Sequence, residues 1–192
     1  MSEPSGLTSE DRLRAATVGE LRPLSRPIIL CDYDPEWPRL FEREAHTIRG
    51  VLGDRALQVE HVGSTAVPGL AAKPTVDIVL VVADSADEDA YLPALESAGY
   101  VLRIREPESD EHRMFRLPDR SVHLHVLSRG CAEIDRMILF RDRLRVNSSD
   151  RKLYERTKRE LARKDWKFGQ HYADAKRPVI EEVLGRVSEA QP

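Results

Sequence analysis

Residues 60–78 read EHVGSTAVPGLAAKPTVDI, in which a Gly-Ser turn is followed about a dozen residues later by an acidic residue that opens an apolar strand. Gly63 lets the backbone approach a ligand closely, and the Ser64 hydroxyl with neighbouring N–H groups can hold anionic oxygens. Asp77 stands where its carboxylate could hold a divalent cation that bridges those oxygens. This layout predicts a site for a phosphorylated ligand.

The composition predicts one folded domain in a reducing compartment. A chain of 192 residues with 41% hydrophobic and 33% charged residues can bury a substantial core. The net charge of -3 gives no overall attraction to nucleic acid or to an anionic membrane, and we expect neither as a partner. The N-terminus lacks the apolar core of a signal peptide, and Cys31 and Cys131 have no metal-like spacing. These features predict a cytoplasmic protein.

The hydrophobic pattern predicts an α+β fold. We expect a weakly ordered lead-in over residues 1–24 and a single domain over residues 25–188. Short apolar runs predict strands at residues 28–31, 57–62, 76–82, 100–105, 113–117 and 121–127. Helical spacing predicts one helix that begins near Asp34-Pro35 and ends at Gly53, a short helix around residues 91–98, and helices from Cys131 onward. The expected architecture is a mixed sheet with helices mainly on one face and a helical C-terminal part.

Asp77 has a functional and a structural interpretation. A carboxylate at the start of an apolar strand is costly unless a cation or backbone N–H groups neutralise it. Asp77 could hold a metal ion, or it could cap the turn or pair with Lys73 or an arginine. The adjacent Gly63-Ser64 turn favours the functional interpretation.

His123 and His125 alternate with apolar residues in the predicted strand 121–127, so their side chains share one face. Two imidazoles there could bind a metal, transfer protons or hold phosphate, or they could simply face solvent. If this strand lies beside that of Asp77, the three side chains converge on one cleft, which favours a function. His61 could join them, although its alternation with apolar neighbours equally predicts a packed, hydrogen-bonded residue.

Basic residues recur on the predicted C-terminal helices, at Arg141, Arg145, Lys158 and Lys176. Taken singly, such residues are usually solvated charges. The segment 140–145 is dense in arginine, and a helix laid over the sheet could direct one or two of these side chains at a triphosphate. The spacing alone does not choose which residues do so.

Several motifs accompany residues 60–78. They are Tyr33-Asp34-Pro35-x-Trp37, His123-Leu124-His125-Val126, Phe140-Arg141-Asp142-x-Leu144-Arg145, Tyr154-x-x-x-Lys158 and Tyr172-x-x-x-Lys176. With these motifs, the sequence resembles the GrpB (UPF0157) family over residues 28–185. The resemblance implies a nucleotidyltransferase-like fold. It also implies an enzyme that binds a nucleoside triphosphate and a divalent metal, transfers the nucleotidyl group to a small acceptor, and releases pyrophosphate.

The resemblance also implies roles for individual residues. The residues that would bind the nucleotide phosphates are Gly63, Ser64, Thr65, Arg141 and Lys158. The residues that would serve catalysis are Asp77, His123, His125 and Lys73. Asp77 and the two histidines would coordinate the metal or activate the acceptor, while Lys73 and Arg141 would neutralise charge that develops on the phosphates.

Only Asp77 is acidic within residues 75–79, whereas nucleotidyltransferases of the wider superfamily carry several carboxylates around the metal. Two alternatives therefore stay open. One is a non-catalytic module that binds a nucleotide or coenzyme, since relatives of the family are fused to dephospho-coenzyme A kinase. The other is a metal-dependent enzyme that uses the His123 and His125 pair on another small substrate. The metal would be Mg²⁺ or Mn²⁺, with Zn²⁺ as a further option for imidazole ligands. The sequence leaves the acceptor and the oligomeric state open.

Overall fold

The computed structural model describes residues 6–119 and 121–189, so residues 1–5 of the predicted lead-in lie outside it. The strands are β1 (Gln58–Val62), β2 (Val76–Val82), β3 (Val101–Glu106), β4 (His112–Arg116) and β5 (Val122–Ser128). The helices are α1 (Glu10–Ala16), α2 (Glu36–Leu52), α3 (Leu92–Ser97), α4 (Ala132–Val146), α5 (Ser148–Ala162), α6 (Gly169–Ala175) and α7 (Arg177–Glu189). None of the described helices is long and apolar enough to cross a membrane. A mixed sheet with helices confirms the predicted α+β class.

The sheet has the strand order β1-β2-β5-β4-β3, which places the two strands with candidate residues side by side. β2 and β5 run parallel, with Asp77 opposite His123. β1 pairs with β2 in the antiparallel sense, so that Val62 lies opposite Asp77. β4 pairs in the antiparallel sense with both β5 and β3. The condition for a cleft shared by Asp77 and the two histidines is therefore met.

Helices pack against one face of the sheet and bury its central strands. Ile78 on β2 and Leu124 on β5 are fully buried on that face, together with Ala45 and Ile48 of α2 and Leu95 of α3. Side chains in a strand alternate between the faces, so the odd-numbered residues of β2 and β5 point the other way. This core holds the sheet rigid beneath the candidate residues.

The opposite face is covered only in part. Val79 of β2 and Leu127 of β5 pack there against Ile134 of α4 in a separate cluster. Asp77 and His125 lie nearer the other end of the same face, where their side chains are 32% and 20% exposed. The helices therefore leave one end of the sheet accessible.

The C-terminal helices enclose the loop of residues 63–75, which connects β1 to β2. Val67 and Leu70 are fully buried, and they belong to a hydrophobic cluster with residues of α4, α5 and α7. Arg145 Nε donates a hydrogen bond to the carbonyl of Ala66. Near the other end of the loop, the backbone of Ala72 forms an isolated β-bridge with Cys31. The predicted strand 28–31 is thus reduced to a single bridge that holds this loop.

The N-terminal lead-in contains α1 and is hydrogen-bonded to two distant parts of the fold. The Thr8 N–H donates to Asp174 on α6 over 2.8 Å, and the Val18 N–H donates to the Arg103 carbonyl on β3 over 2.9 Å. Leu13 of α1 is buried. Residues 8–18 therefore link the C-terminal helices to the edge of the sheet.

Arg141 joins α4 to β1 and is 8% exposed. Its Nη1 donates to Glu60 Oε2 over 2.7 Å and to the His61 carbonyl over 2.9 Å. Its Nε and Nη2 donate to the Asp142 carboxylate over 2.8 and 3.1 Å. These bonds engage the guanidinium within the fold, so the phosphate-binding role predicted for Arg141 gains no support from its position.

We expect Arg141→Met to lower the free energy of unfolding by about 1–3 kcal/mol, because the buried carbonyl of His61 on β1 loses its donor. Arg136 lies on the same helix, is 40% exposed and pairs with Glu133. Arg136→Met is the matched control and should change the free energy by less than about 0.5 kcal/mol. Urea unfolding followed by circular dichroism measures both variants. Equal effects at the two positions would contradict the structural role of Arg141.

Candidate functional site

Gly63 brings the backbone directly against the side chain of Asp77. Its φ of +69° and ψ of −169° lie in a region that only glycine adopts readily. A Cβ at this position would lie 2.5 Å from Asp77 Oδ2. A glycine is therefore required here for two reasons: the backbone conformation of the turn and the close approach to the carboxylate. Both are expected of a Gly-Ser turn in a ligand-binding site.

Asp77 and the two histidines of β5 lie together at the accessible end of the sheet. Asp77 Oδ1 is 3.4 Å from His123 Nδ1 and 3.8 Å from His125 Nε2. Burial of the Asp77 carboxyl opposes its ionisation, but the neighbouring His123 and then His125 outweigh burial and hold its pKa below the usual range. Asp77 is thus an ionised carboxylate, suited to attract a cation or to accept hydrogen bonds.

These three residues do not form a ready metal site. Across residues 6–119 and 121–189, no group of three His, Cys, Asp or Glu side chains is arranged to hold a metal ion. A cation such as Mg²⁺ needs several oxygen ligands, and Asp77 supplies a single carboxylate here. The residues therefore do not fit a resident metal, and the metal-binding role of Asp77, His123 and His125 stays a prediction.

Lys158 reaches from α5 into the loop between β1 and β2. It is 2% exposed, and its Nζ donates to Ser64 Oγ over 2.9 Å and to the Ala71 carbonyl over 2.5 Å. Its ammonium group also lies 4.8 Å from the centre of the Tyr154 ring. Burial, reinforced by the positive charge of Lys176, lowers the pKa of Lys158 to about 7. Lys158 and Ser64, which were both predicted to bind the phosphates, are therefore in direct contact.

The ammonium groups of Lys73 and Lys176 both lie near the ring of the same aromatic residue. Their Nζ atoms are 5.8 and 5.0 Å from the centre of the Tyr172 ring. Burial lowers the pKa of both lysines, and Lys176 lowers that of Lys73 further. Asp77 is close enough to raise the pKa of each, but neither forms an ion pair with it in the described structure. Each of these ammonium groups is partly dehydrated, and neither has a carboxylate partner within residues 6–119 and 121–189.

Tyr172 adds an unused hydrogen-bonding group to this region. The residue is 2% exposed, and within the described residues its hydroxyl is a buried polar atom with no hydrogen-bond partner. Such a group costs free energy unless a water or a ligand satisfies it. Burial raises the pKa of Tyr172, with a smaller contribution from Tyr154, so it is available as a donor.

The side chain of Thr65 is engaged within the fold, so its predicted role in binding phosphate gains no support from its position. It is 1% exposed, and its Oγ1 lies 3.0 Å from His61 Nε2. His61 stacks on Phe41 with ring centres 4.9 Å apart, and burial lowers its pKa to about 4. The packed, hydrogen-bonded interpretation of His61 is confirmed, and the Thr65 side chain belongs to that packing.

His112 and Glu106 are neighbours of the site that the sequence analysis missed. His112 Nε2 lies 3.0 Å from His125 Nδ1, and His112 Nδ1 lies 2.7 Å from Glu106 Oε2. The strand predicted over residues 113–117 began one residue after His112, so His112 was not included in its alternation. In the observed register Met114 is opposite His125. His112 lies two residues before Met114 and is therefore the diagonal neighbour of His125. Only the strand pairing reveals the contact.

We expect Gly63→Ala to lower the free energy of unfolding by about 2–4 kcal/mol, because the new methyl group strains the backbone and displaces Asp77. Gly69 also has a positive φ, +76°, but nothing lies within 4 Å of a Cβ there. Gly69→Ala therefore measures the backbone cost alone, about 1–2 kcal/mol. Thermal and urea unfolding of both variants give the comparison. Equal losses would show that the close approach to Asp77 has no cost.

Known proteins resemble this chain closely. A UPF0157 protein of Halalkalibacterium halodurans is 58% identical over 180 residues, which cover 94% of this chain and 92% of that protein. The crystal structure of the conserved protein GrpB from Enterococcus faecalis superposes with a TM-score of 0.72 at 32% identity. That match covers 83% of this chain and 99% of the other. This chain therefore shares its fold with nearly the whole of that solved structure.

A third relative is a larger protein. A dephospho-CoA kinase of Mycobacterium leprae is 29% identical over 192 aligned residues, which cover 85% of this chain but 47% of the kinase. The model of the family described as GrpB protein matches residues 27–186, which include every candidate residue described above. This chain belongs to the GrpB family.

Proposed function

We propose that this protein binds a nucleoside triphosphate through its phosphates and transfers the nucleotidyl group to a small acceptor. One observation carries the proposal: Lys158 is bound to Ser64, and Lys73 and Lys176 lie against Tyr172 and near Asp77, all three without a carboxylate partner among the described residues. Charges removed from water are normally paired. One buried and two half-buried ammonium groups that are not paired predict an anion with several negative charges, as a triphosphate has.

The surrounding contacts support a phosphate ligand in particular. Ser64 and Tyr172 offer hydroxyl groups beside the ammonium groups, and Gly63 removes the side chain that would keep a ligand away from the turn. Charge-assisted hydrogen bonds from ammonium groups to phosphate oxygens are among the stronger contacts available to a protein. The ligand would therefore supply the negative charge that the described part of the chain does not.

In the proposed reaction, an acceptor hydroxyl oxygen attacks the α-phosphorus and forms a new O–P bond, while its O–H bond breaks and the proton passes to His123 or His125 beside Asp77. The bond from the α-phosphorus to the bridging oxygen breaks, and pyrophosphate leaves with the electron pair. Lys158 and Lys176 would stabilise the charge that grows on the leaving pyrophosphate. A divalent cation would enter with the nucleotide as part of the substrate, because Asp77 alone is a weak site for it.

We expect nucleotide binding at pH 8 to take up protons. With a pKa of about 7, the Lys158 amine is mostly neutral at this pH, and a bound phosphate raises that pKa and draws a proton from the buffer. Isothermal titration of each of the four triphosphates, in buffers of different ionisation enthalpy, measures the uptake. Lys158→Met should weaken binding about 10- to 100-fold and abolish the uptake.

Lys152 is exposed on the same helix, and Lys152→Met is the matched control that should bind normally. Lys158→Met should change the unfolding temperature little, because removal of a dehydrated ammonium group offsets the loss of its hydrogen bonds to Ser64 and the Ala71 carbonyl. Weaker binding without lost stability is the signature of a ligand-binding residue. Wild-type affinity in Lys158→Met, or no binding of any triphosphate to the wild type, would refute the proposal.

The likeness to the mycobacterial kinase favours a second candidate function. The chain would then be a non-catalytic module that binds dephospho-coenzyme A or coenzyme A through its phosphates. The same lysines would serve, and neither a cation nor Asp77 would be needed. The third alternative, chemistry on a metal held by His123 and His125 alone, gains no support from the described residues.

Asp77→Asn separates the two candidates. For a transferase we expect this change to abolish metal-dependent pyrophosphate release, tested with panels of sugars, nucleosides and amino acids as acceptors. Binding of the triphosphate in EDTA should stay equal or become tighter, because a negative charge near the phosphates is removed. A wild type that binds dephospho-coenzyme A in EDTA and releases no pyrophosphate from any triphosphate is instead the binding module.

A further inference from the structure

The hydroxyl group of Tyr172 is an exception among the buried polar groups of the fold. Tyr172 is 2% exposed, and its hydroxyl is the one buried side-chain nitrogen or oxygen that has no hydrogen-bond partner within residues 6–119 and 121–189. Tyr91 shows the normal situation: it is fully buried, and its hydroxyl donates to the Ser85 carbonyl over 2.6 Å. An unsatisfied buried hydroxyl costs free energy, so the partner of Tyr172 has to be a water molecule or a ligand.

The ring of Tyr172 lies where apolar packing meets two positive charges. It belongs to a hydrophobic cluster with Ile28 and Leu161. The Nζ atoms of Lys73 and Lys176 lie 5.8 and 5.0 Å from the ring centre, and both lysines are half-buried. A molecule that enters from solvent can therefore reach the two ammonium groups, while the apolar cluster holds the ring in place.

Tyr154 connects the hydroxyl group of Tyr172 with the Gly63-Ser64 turn. Burial raises the pKa of Tyr172, and the neighbouring Tyr154 raises it further. Burial also raises the pKa of Tyr154 to about 12, against the opposing effect of a hydrogen bond with Ser64. The Tyr172 hydroxyl thus keeps its proton near the turn and is available there as a donor.

The donors of the two ammonium groups are also unused. Within the described part of the chain, the Nζ atoms of Lys73 and Lys176 form neither a hydrogen bond nor an ion pair. Asp174 is close to Lys176 in sequence, but its carboxylate accepts from the Thr8 N–H over 2.8 Å instead. An ammonium group offers three donors and no acceptor. A large hydrogen-bonding capacity is therefore left unused around the ring of Tyr172.

Lys158 differs from this pair because its Nζ is already engaged. It donates to Ser64 Oγ and to the Ala71 carbonyl, which leaves only part of its donor capacity for a ligand. The region therefore offers an anion two kinds of contact. One ammonium group is largely satisfied by the fold, whereas Lys73 and Lys176 depend on a ligand for their hydrogen bonds.

Phosphate groups at the end of a chain and within it differ in charge and in acceptors. A terminal phosphate carries a charge of about −1.5 to −2 at pH 7 and has three free oxygens. A phosphate within a chain shares one more of its oxygens and carries less charge. Two ammonium groups and a hydroxyl donor match the terminal phosphate in both charge and hydrogen bonding.

We propose that Lys73, Lys176 and Tyr172 form a subsite for a terminal phosphate group, in which the Tyr172 hydroxyl donates to a phosphate oxygen and makes the protein prefer ligands that carry such a group. The subsite rests on the proposed function for the identity of the nucleotide, but its own chemistry requires only the terminal phosphate. It favours a nucleoside triphosphate or coenzyme A over dephospho-coenzyme A, whose phosphates all lie within a chain.

The first test uses the protein without a ligand. Tyr172→Phe removes a hydroxyl that has no partner in the described fold, so the unfolding temperature should stay the same or rise. Tyr91→Phe is the matched control, and it should lower the unfolding temperature by about 2–4 °C because a hydrogen bond to Ser85 is lost. Thermal unfolding followed by circular dichroism measures both. An equal loss in the two variants would show that Tyr172 is already satisfied and would overturn the proposal.

The second test compares two ligands that differ only at the terminal phosphate, a nucleoside triphosphate and its γ-methyl ester. By isothermal titration, the wild type should bind the triphosphate about 10- to 100-fold more tightly than the ester. Tyr172→Phe should reduce this ratio about 3- to 10-fold, mainly by weakening the binding of the triphosphate. Equal affinities of the wild type for the two ligands, or an unchanged ratio in Tyr172→Phe, would overturn the proposal.

Substitution of the lysines tests the charge of the subsite. Lys73→Met and Lys176→Met should each weaken the binding of the triphosphate about 10- to 100-fold and weaken that of the ester less. Lys152→Met, at an exposed position, is the control that should bind both ligands normally. Losses of the same size for the triphosphate and the ester would show that these lysines do not recognise the terminal phosphate, contrary to the proposal.

Inorganic pyrophosphate separates the subsite from the proposed function, because it has terminal phosphates but no nucleoside. If the wild type binds pyrophosphate more tightly than Tyr172→Phe does, yet transfers no nucleotidyl group, the proposed function fails and the subsite stands. If nucleotidyl transfer occurs but neither the γ-methyl ester nor Tyr172→Phe changes the affinity, the proposed function stands and the subsite fails. Binding of neither pyrophosphate nor any triphosphate would refute both.

Discussion

The ammonium groups of Lys73, Lys158 and Lys176 are partly dehydrated because apolar packing fixes the backbone around them. The loop between β1 and β2 is fixed by the burial of Val67 and Leu70 against the C-terminal helices, and Lys158 is carried into it by α5. Surface lysines normally extend their charged ends into water, but a side chain 2% exposed has no such route. Apolar packing thus keeps the charge of Lys158 away from water, which costs electrostatic free energy. A bound anion would offset that cost.

The sheet, in contrast, fixes the position of the Asp77 carboxylate. Asp77 has strand neighbours on both sides, and Gly63 follows directly after the partner on β1. The carboxylate is therefore fixed by two sets of ladder hydrogen bonds and by contact with a backbone that has no side chain in the way. Sites built on strands hold their geometry better than sites built on loops. The lysines come from the loop and helices, so the two halves of the site depend on separate parts of the fold.

Much of this arrangement could be predicted from the sequence, because alternation and the Gly-Ser turn are local signals. The side-by-side position of Asp77 and His123 needed one further fact, the strand order, which the sequence did not contain. Arg141 and Thr65 were assigned to the phosphates because their residue types suit that task, but residue type does not show which way a side chain points. His112 was missed for a related reason: its partner lies on another strand, and the register between strands is not a local property.

The long separation between contacting residues has a consequence for synthesis on the ribosome. Ser64 and Lys158 are 94 positions apart, and the bond from Thr8 to Asp174 spans 166 positions. Contacts that close such long loops form late, because the chain must lose conformational entropy before these contacts can stabilise it. A growing chain in which only the five strands are complete contains Asp77, His123 and His125. It does not yet contain Lys158 of α5 or Lys176 at the end of α6. Competence to bind an anion would then arise only after α5 and the end of α6 have been synthesised and have packed against the sheet.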